Sequence, residues 1–245
     1  MMAESESNMD DVRDGLVWWK AAYAFHSFAY RDPRSAFSSA VGLPVVSPTT
    51  VLLGVASTLF NMGMAQEARD FLESVTRCRV VVDSPEGAVF FRAFHQLRRY
   101  HSTTKGNTKR VGFTNVNQGT REYGLVQGAI TVFLGVPEKH AQAVELALRN
   151  RDHLGTHDSL CSLVGEVTRI DPLSELRDVV YVGPGEGDFP AEGISVVTLT
   201  RFKRQLMPTL PHWWMAGGDD TELVPYVIKG TFTGTTRGKI YRKNG

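Results

Sequence analysis

Residues 101–120 read HSTTKGNTKRVGFTNVNQGT. No helical or strand period runs through them. They carry three glycines, many hydroxyl and amide side chains, and Lys105, Lys109 and Arg110 as their only charges. Structureless connections beyond about 12–15 residues are uncommon inside a domain and are usually functional or disordered when they occur. The stretch therefore reads as a long loop that projects as the tip of a hairpin, about 98–123. The lack of acid extends past its ends: Arg98, Arg99, Lys105, Lys109, Arg110 and Arg121 lie within 98–121 without one Asp or Glu.

The flanks of this stretch predict strands. Residues 90–100 are aromatic-rich, and 121–136 end in TVFLGV. Pro137 then opens a helix over 138–150, with Ala141, Val144, Ala147 and Leu148 on one side, and 159–167 returns as a strand. Towards the N-terminus, 78–82 form a short β-branched strand, preceded by helices over 47–63 and 65–75. Ser47 suits the N-cap of the first helix and Pro48 its first turn; Leu52, Val55, Ala56 and Leu59 share a face, and Gly63 suits the stop. At 16–28 the odd positions Val17, Trp19, Ala21, Tyr23 and Phe25 are all apolar, the period of a strand with one face in a core. The order is β-α-β-β-α-β, an α+β plan of the ferredoxin-like type shared by RNA-recognition motifs. The basic stretch falls between the two central strands. A Gly/Pro-rich segment at 183–193 leads to further strands at 194–202 and 224–241. The chain thus divides into a disordered acidic lead over 1–14, a ferredoxin-like RNA-binding domain over 15–170, and a β-rich C-terminal subdomain over 171–245.

Composition narrows the class. Hydrophobic residues make up 42% and charged residues 22%, ordinary values for a globular protein. The net charge of +1 conceals a segregated distribution. Glu4, Glu6, Asp10, Asp11 and Asp14 crowd the first 14 residues against Arg13, while Arg237, Lys239, Arg242 and Lys243 add a second basic stretch. The two cysteines, Cys78 and Cys161, make no disulfide or metal framework. No apolar run approaches the roughly 20 residues that span a bilayer, and the acidic start is unlike a signal peptide. A cytoplasmic protein with no membrane partner is expected.

Ser47-Pro48-Thr49-Thr50-Val51-Leu52-Leu53-Gly54-Val55-Ala56, following the first strand, resembles the P-P-T-T-L-L-G-A-L-A-like segment of the fifth family of CRISPR-associated proteins, within the RAMP superfamily. A weaker echo is Leu154-Gly155-Thr156-His157-Asp158-Ser159, similar to the turn before that family's fourth strand. With the strand and helix order, the resemblance covers roughly residues 16–167. It implies a ferredoxin-like fold with a thumb hairpin, in a non-catalytic subunit of a class 1, type I (Cascade) complex. Such a subunit caps the 5′ handle of the crRNA and docks the repeated backbone subunit and the large subunit, touching target DNA only indirectly. Trp18-Trp19 and the acidic lead depart from the family's pattern.

Two RNA-binding sites follow from residue chemistry. On the hairpin, Arg98, Lys105, Lys109, Arg110 and Arg121 can neutralise phosphates, and Tyr100, Phe113 and Tyr123 can stack on splayed bases. Before the first helix, Arg31, Arg34 and Ser35 lead to Ser47, Thr49 and Thr50 at a helix N-terminus, where free amides suit a phosphate. A rival reading makes the chain a metal-independent endoribonuclease for precursor crRNA, with Tyr100, His101 and Lys105 as base and cation, and His26 or His95 as further candidates. A second rival is a ferredoxin-like ligand or oligomerisation domain. His153, His157 and Asp158 lack a helix to align them on a metal. The GPGEGDF run at 183–189 reads as a turn, and Trp213-Trp214 as a partner anchor or core pair. No metal or cofactor is expected.

Overall fold

A computed structural model describes residues 15–34, 39–105, 108–155, 159–176, 193–203, 220–236 and 238–244, with backbone alone at 39–40, 95–105, 108–119 and 173. The acidic lead, Ser35, His157, Asp158, the 183–189 run, Trp213-Trp214 and Arg237 lie outside the described residues. In chain order the elements are β1 (Leu16–Phe25), β2 (Ser39–Ala40), α1 (Pro48–Asn61), α2 (Ala65–Leu72), β3 (Arg79–Asp83), β4 (Gly87–Lys105), β5 (Thr108–Gln127), β6 (Ile130–Pro137) and α3 (Ala141–Arg149). There follow β7 (Cys161–Ile170), α4 (Pro172–Glu175), β8 (Ile194–Phe202), β9 (Thr221–Lys229), β10 (Thr231–Thr235) and β11 (Gly238–Arg242). The fold is α+β.

The first sheet has the order β3-β6-β1-β7, with every neighbouring pair antiparallel. That is the strand order of a β-α-β-β-α-β ferredoxin-like unit whose second and third strands are β3 and β6. Everything between them, 87–127, is one inserted hairpin. The single strand expected over 121–136 is therefore two: β5 ends at Gln127, Gly128 turns the chain at φ +80°, and β6 begins at Ile130.

The core forms as the alternation requires. Val17, Trp19, Ala21, Tyr23 and Phe25 of β1 are buried against Ile130, Val132, Leu134 and Val136 of β6 and the inner faces of α1 and α3. Each fully buried Val, Leu or Phe contributes about 1.5–3 kcal/mol. The Tyr23 hydroxyl donates to Leu148 O at 2.8 Å, tying β1 to the end of α3. Burial pushes its phenol up to about 12, although the nearby Arg151 charge opposes the rise.

Gly54 of the L-L-G motif has a packing reason. The buried Arg151 guanidinium lies across α1 and donates from Nη2 to Val51 O at 3.0 Å. A Cβ on residue 54 would stand 2.9 Å from Nη2 and 3.0 Å from Cζ. In an unobstructed helix, Gly→Ala stabilises by about 1 kcal/mol. Here the guanidinium has no solvent to retreat into, so Gly54→Ala is expected to destabilise by about 1–3 kcal/mol, the usual cost of overpacking. Urea unfolding measures this; a variant as stable as the native chain, or more so, would contradict the packing argument.

His140 carries a pH dependence. It is buried, with Nε2 2.8 Å from Ser74 Oγ and its ring edge-on to Phe71. Burial, with the Lys139 charge, lowers its pKa against the opposing pull of Asp70. The fold therefore favours the neutral ring. This stability is complete above the unfolded value near 6.5 and is lost as pH falls from there through the lower folded value. Thermal unfolding from pH 8 to 5 should show the native chain losing stability below about 6.5 more steeply than His140→Gln. Equal slopes would remove the residue from that role.

The second sheet runs β10-β11-β4-β5-β2 and is rooted in the same body. The chain leaving β1 pairs with the hairpin base: Phe28 N–H donates to Gly124 O at 2.9 Å, and Gly124 N–H to Phe28 O at 2.6 Å. A second core gathers Val45, Ala88 and Phe90 with Leu199 and Val197 of β8, Val224, Tyr226 and Ile228 of β9, and Tyr241 of β11. The β8–β9 pair is antiparallel throughout, and α1 packs against β8. Among the described residues, no helix is long and apolar enough to cross a membrane.

Candidate nucleic-acid interface

The stretch 101–120 is not a loop. Its described residues, 101–105 and 108–120, belong to the β4–β5 ladder, which runs from Gly87↔Gln127 to Lys105↔Thr108 with one irregularity between Arg98 and Tyr100, opposite Thr114 and Asn115. The other strands of this sheet join only near its base. β11 pairs with β4 as far as Phe91, and β2 pairs with Thr120 and Arg121 of β5. Beyond those rungs, β4 and β5 have only each other as strand partners among the described residues. At about 3.4 Å per residue, 95–105 carry the ribbon roughly 35 Å further. Strand alternation reports a buried face, and a two-stranded ribbon outside the core imposes none. That is why the pairing leaves no period to read.

The basic residues fall along this arm. Arg98 is opposite Val116, Thr103 opposite Arg110, Thr104 opposite Lys109, and Lys105 opposite Thr108. The aromatic candidates Tyr100 and Phe113 are directly paired, and His101 is opposite Gly112. Backbone register thus brings Lys105, Lys109 and Arg110 within three consecutive rungs at the tip.

The root of the arm is held by a buried carboxylate. Glu122 Oε2 accepts from Gly42 N–H at 3.0 Å and lies 3.3 Å from Lys239 Nζ, while Oε1 is 3.4 Å from Arg92 Nε. The Lys239 ammonium also sits over the rings of Phe90 and Phe232, at 5.1 and 5.2 Å. Gly42 permits the close approach, because a Cβ there would stand 2.7 Å from Phe90 Cδ1. Glu122 therefore links the segment before α1, the hairpin and the C-terminal strand. Sequence reasoning passed over it; its one signal was to be the lone acid immediately after a basic run.

The second expected site is arranged differently. Ser47 was expected to cap α1, but it makes no side-chain cap. Its Oγ instead accepts from Thr200 N–H of β8 at 2.9 Å and bonds the Tyr30 hydroxyl. Thr49 Oγ1 donates to Thr200 O at 3.1 Å, and Thr50 Oγ1 to the Tyr30 hydroxyl at 3.3 Å. Ser47 and Thr49 are buried, so their hydroxyls join α1 to β8 rather than face solvent. The correction has a simple cause: β8 arrives from 150 residues downstream and claims the hydroxyls first. Arg31 and Arg34 are exposed. Arg34 holds Asp32 through Nε at 3.2 Å and Nη2 at 2.8 Å, which engages its charge within the loop. Arg121 lies at the hairpin base, opposite Ala93. His153 Nδ1 is 2.6 Å from Asp152 Oδ1.

No family model and no curated protein matches the chain. Among solved structures, it is similar to a CRISPR protein from Archaeoglobus fulgidus, with 11% identity and a TM-score of 0.39 over 94% of this chain and 92% of that one. It is also similar to a chain of a type III-B Cmr-β complex bound to cognate target RNA and AMPPnP, with 10% identity and a TM-score of 0.35 over 92% and 86%. The fold described above rests on this chain's own strand order.

Proposed function

We propose that the chain is a non-catalytic, RNA-gripping subunit of a class 1, type I CRISPR surveillance complex. It caps the 5′ handle of the crRNA and docks the large subunit and the repeated backbone subunit. The observation that supports this most is the arm, an inserted β-ribbon whose residues 95–119 include Arg98, Arg99, Lys105, Lys109 and Arg110 and no acid. Such a ribbon suits a polyanion: cations release counterions from phosphates, and paired aromatic positions offer stacking for unpaired bases. The motif resemblance at 47–56 and the ferredoxin-like strand order support the family part of the reading. Target sequence would be read by base pairing with the guide, leaving this subunit to hold backbone and shape.

Filter binding to labelled repeat-derived RNA, against unrelated RNA of equal length, tests the proposal on the chain and on its assembled complex. Preference for the repeat-derived RNA is expected, and equal affinity would remove the 5′-handle role. RNA recovered after incubation without metal should be intact. Defined fragments would reverse the non-catalytic part and bring forward Tyr100, His101 and Lys105.

A further inference from the structure

We propose that the outward face of the hairpin base is a base-stacking platform for single-stranded RNA, distinct from the basic arm; this rests on the RNA-gripping reading above. The base of the second sheet has two unlike faces. One buries Ala88, Phe90, Glu122 and Tyr241 against the body. The other presents Val89 at 47%, Phe91 at 41% and Leu125 at 54% exposure, with the Tyr123 ring stacked beside Phe91 at 6.2 Å and 27°. Register places these on one side, because Val89 is opposite Leu125 and Phe91 opposite Tyr123. Contiguous exposed apolar surface of this kind marks an interaction site.

Charge decides the occupant. By register, Arg121 stands at the arm end of this face and Arg242 at the other. Among the described residues of β4, β5, β10 and β11, no acid shares the face, since Glu122 points the opposite way and β10 and β11 supply none. Rings flanked by cations match a single strand, whose bases stack while its phosphates meet the arginines. A two-fold pairing of this face with the same face of a second copy would bring basic positions together without an acid from the described strands of the face between them. The first sheet does not offer this service. An RNA-recognition motif stacks bases on rings of its open sheet face, but the outward rings here, Trp18 and Phe133, are only 2% and 3% exposed.

The test uses a 20-nucleotide oligouridylate. Phe91→Leu with Tyr123→Leu removes the rings but keeps apolar side chains that suit a strand. Binding should weaken about ten-fold for each stacked ring lost, with an unchanged salt slope because no phosphate contact is removed. Phe91→Trp should retain affinity, and 4-thiouridine crosslinks should map to peptides containing Phe91 or Tyr123. If the double variant binds like the native chain while an arm variant does not, the platform is overturned and the RNA reading stands. If neither the native chain nor its complex binds RNA, both fall. Self-association abolished by the double variant, with RNA affinity unchanged, would make the face a protein interface and overturn the proposal.

Discussion

Replacing Lys105, Lys109 and Arg110 together by alanine is expected to weaken binding to repeat-derived RNA by about 100-fold at 0.1 M salt, because each phosphate neutralised on a single strand adds roughly 0.7 to the slope of log affinity against log salt. Three such contacts amount to a slope of about 2, which over the decade from 1 M to 0.1 M is about two powers of ten. The three residues lie within three consecutive rungs at the arm's tip, remote from both cores. Folding stability should therefore not change, which separates a lost contact from a lost fold. Filter binding across 0.05–0.5 M salt reads both affinity and slope. An unchanged slope would move phosphate contact off the tip. Weak, salt-insensitive binding by the native chain itself would favour a ligand or oligomerisation domain.

The largest stability effect is expected at the arm's root. Glu122→Ala leaves the Gly42 N–H and the half-covered Lys239 ammonium without their acceptor. Stranding buried partners of an ion pair costs about 3–5 kcal/mol. Arg92 is mostly exposed and recovers water, so a loss of about 2–4 kcal/mol is the reasonable expectation. Glu122→Gln keeps an acceptor for Gly42 but loses the charge, and should fall between the native chain and the alanine variant. Denaturant unfolding measures all three. Hydrogen exchange should show protection lost first in β11 and around Gly42, the two segments the carboxylate fastens. If both variants stay within about 0.5 kcal/mol of the native chain, Glu122 is not the fastening.

What could be read locally was the inner face of each element. β1 announced its core side because a single buried face imposes a period of two, and the odd positions from Val17 to Phe25 are the ones buried. The α1 and α3 faces were legible for the same reason at period 3.6. The arm was not, since no core imposes alternation on a ribbon that leaves the body, and its order comes from backbone pairing. The alternation that buries the odd positions of β1 leaves the even-numbered Trp18 on the opposite face, yet it too is buried, its ring lying over Gly135, directly opposite on β6. No local pattern records that absent side chain across the ladder. Ser47 had every local mark of an N-cap, and a strand from far downstream took its hydroxyl.

The sequence by itself determined the element types outside the arm, the inward faces of β1, α1 and α3, and the acid-free run of bases around residue 105. These follow from burial periodicity and charge, which are written within a few residues of each other. Only the tertiary structure decided that 87–127 is one hairpin inserted between β3 and β6, and that Glu122 roots it to both Gly42 and Lys239. It likewise decided that Phe90 turns into the core while Phe91 turns out beside Tyr123. Strand pairing and register depend on partners as much as 150 residues apart, and a local pattern carries no record of them.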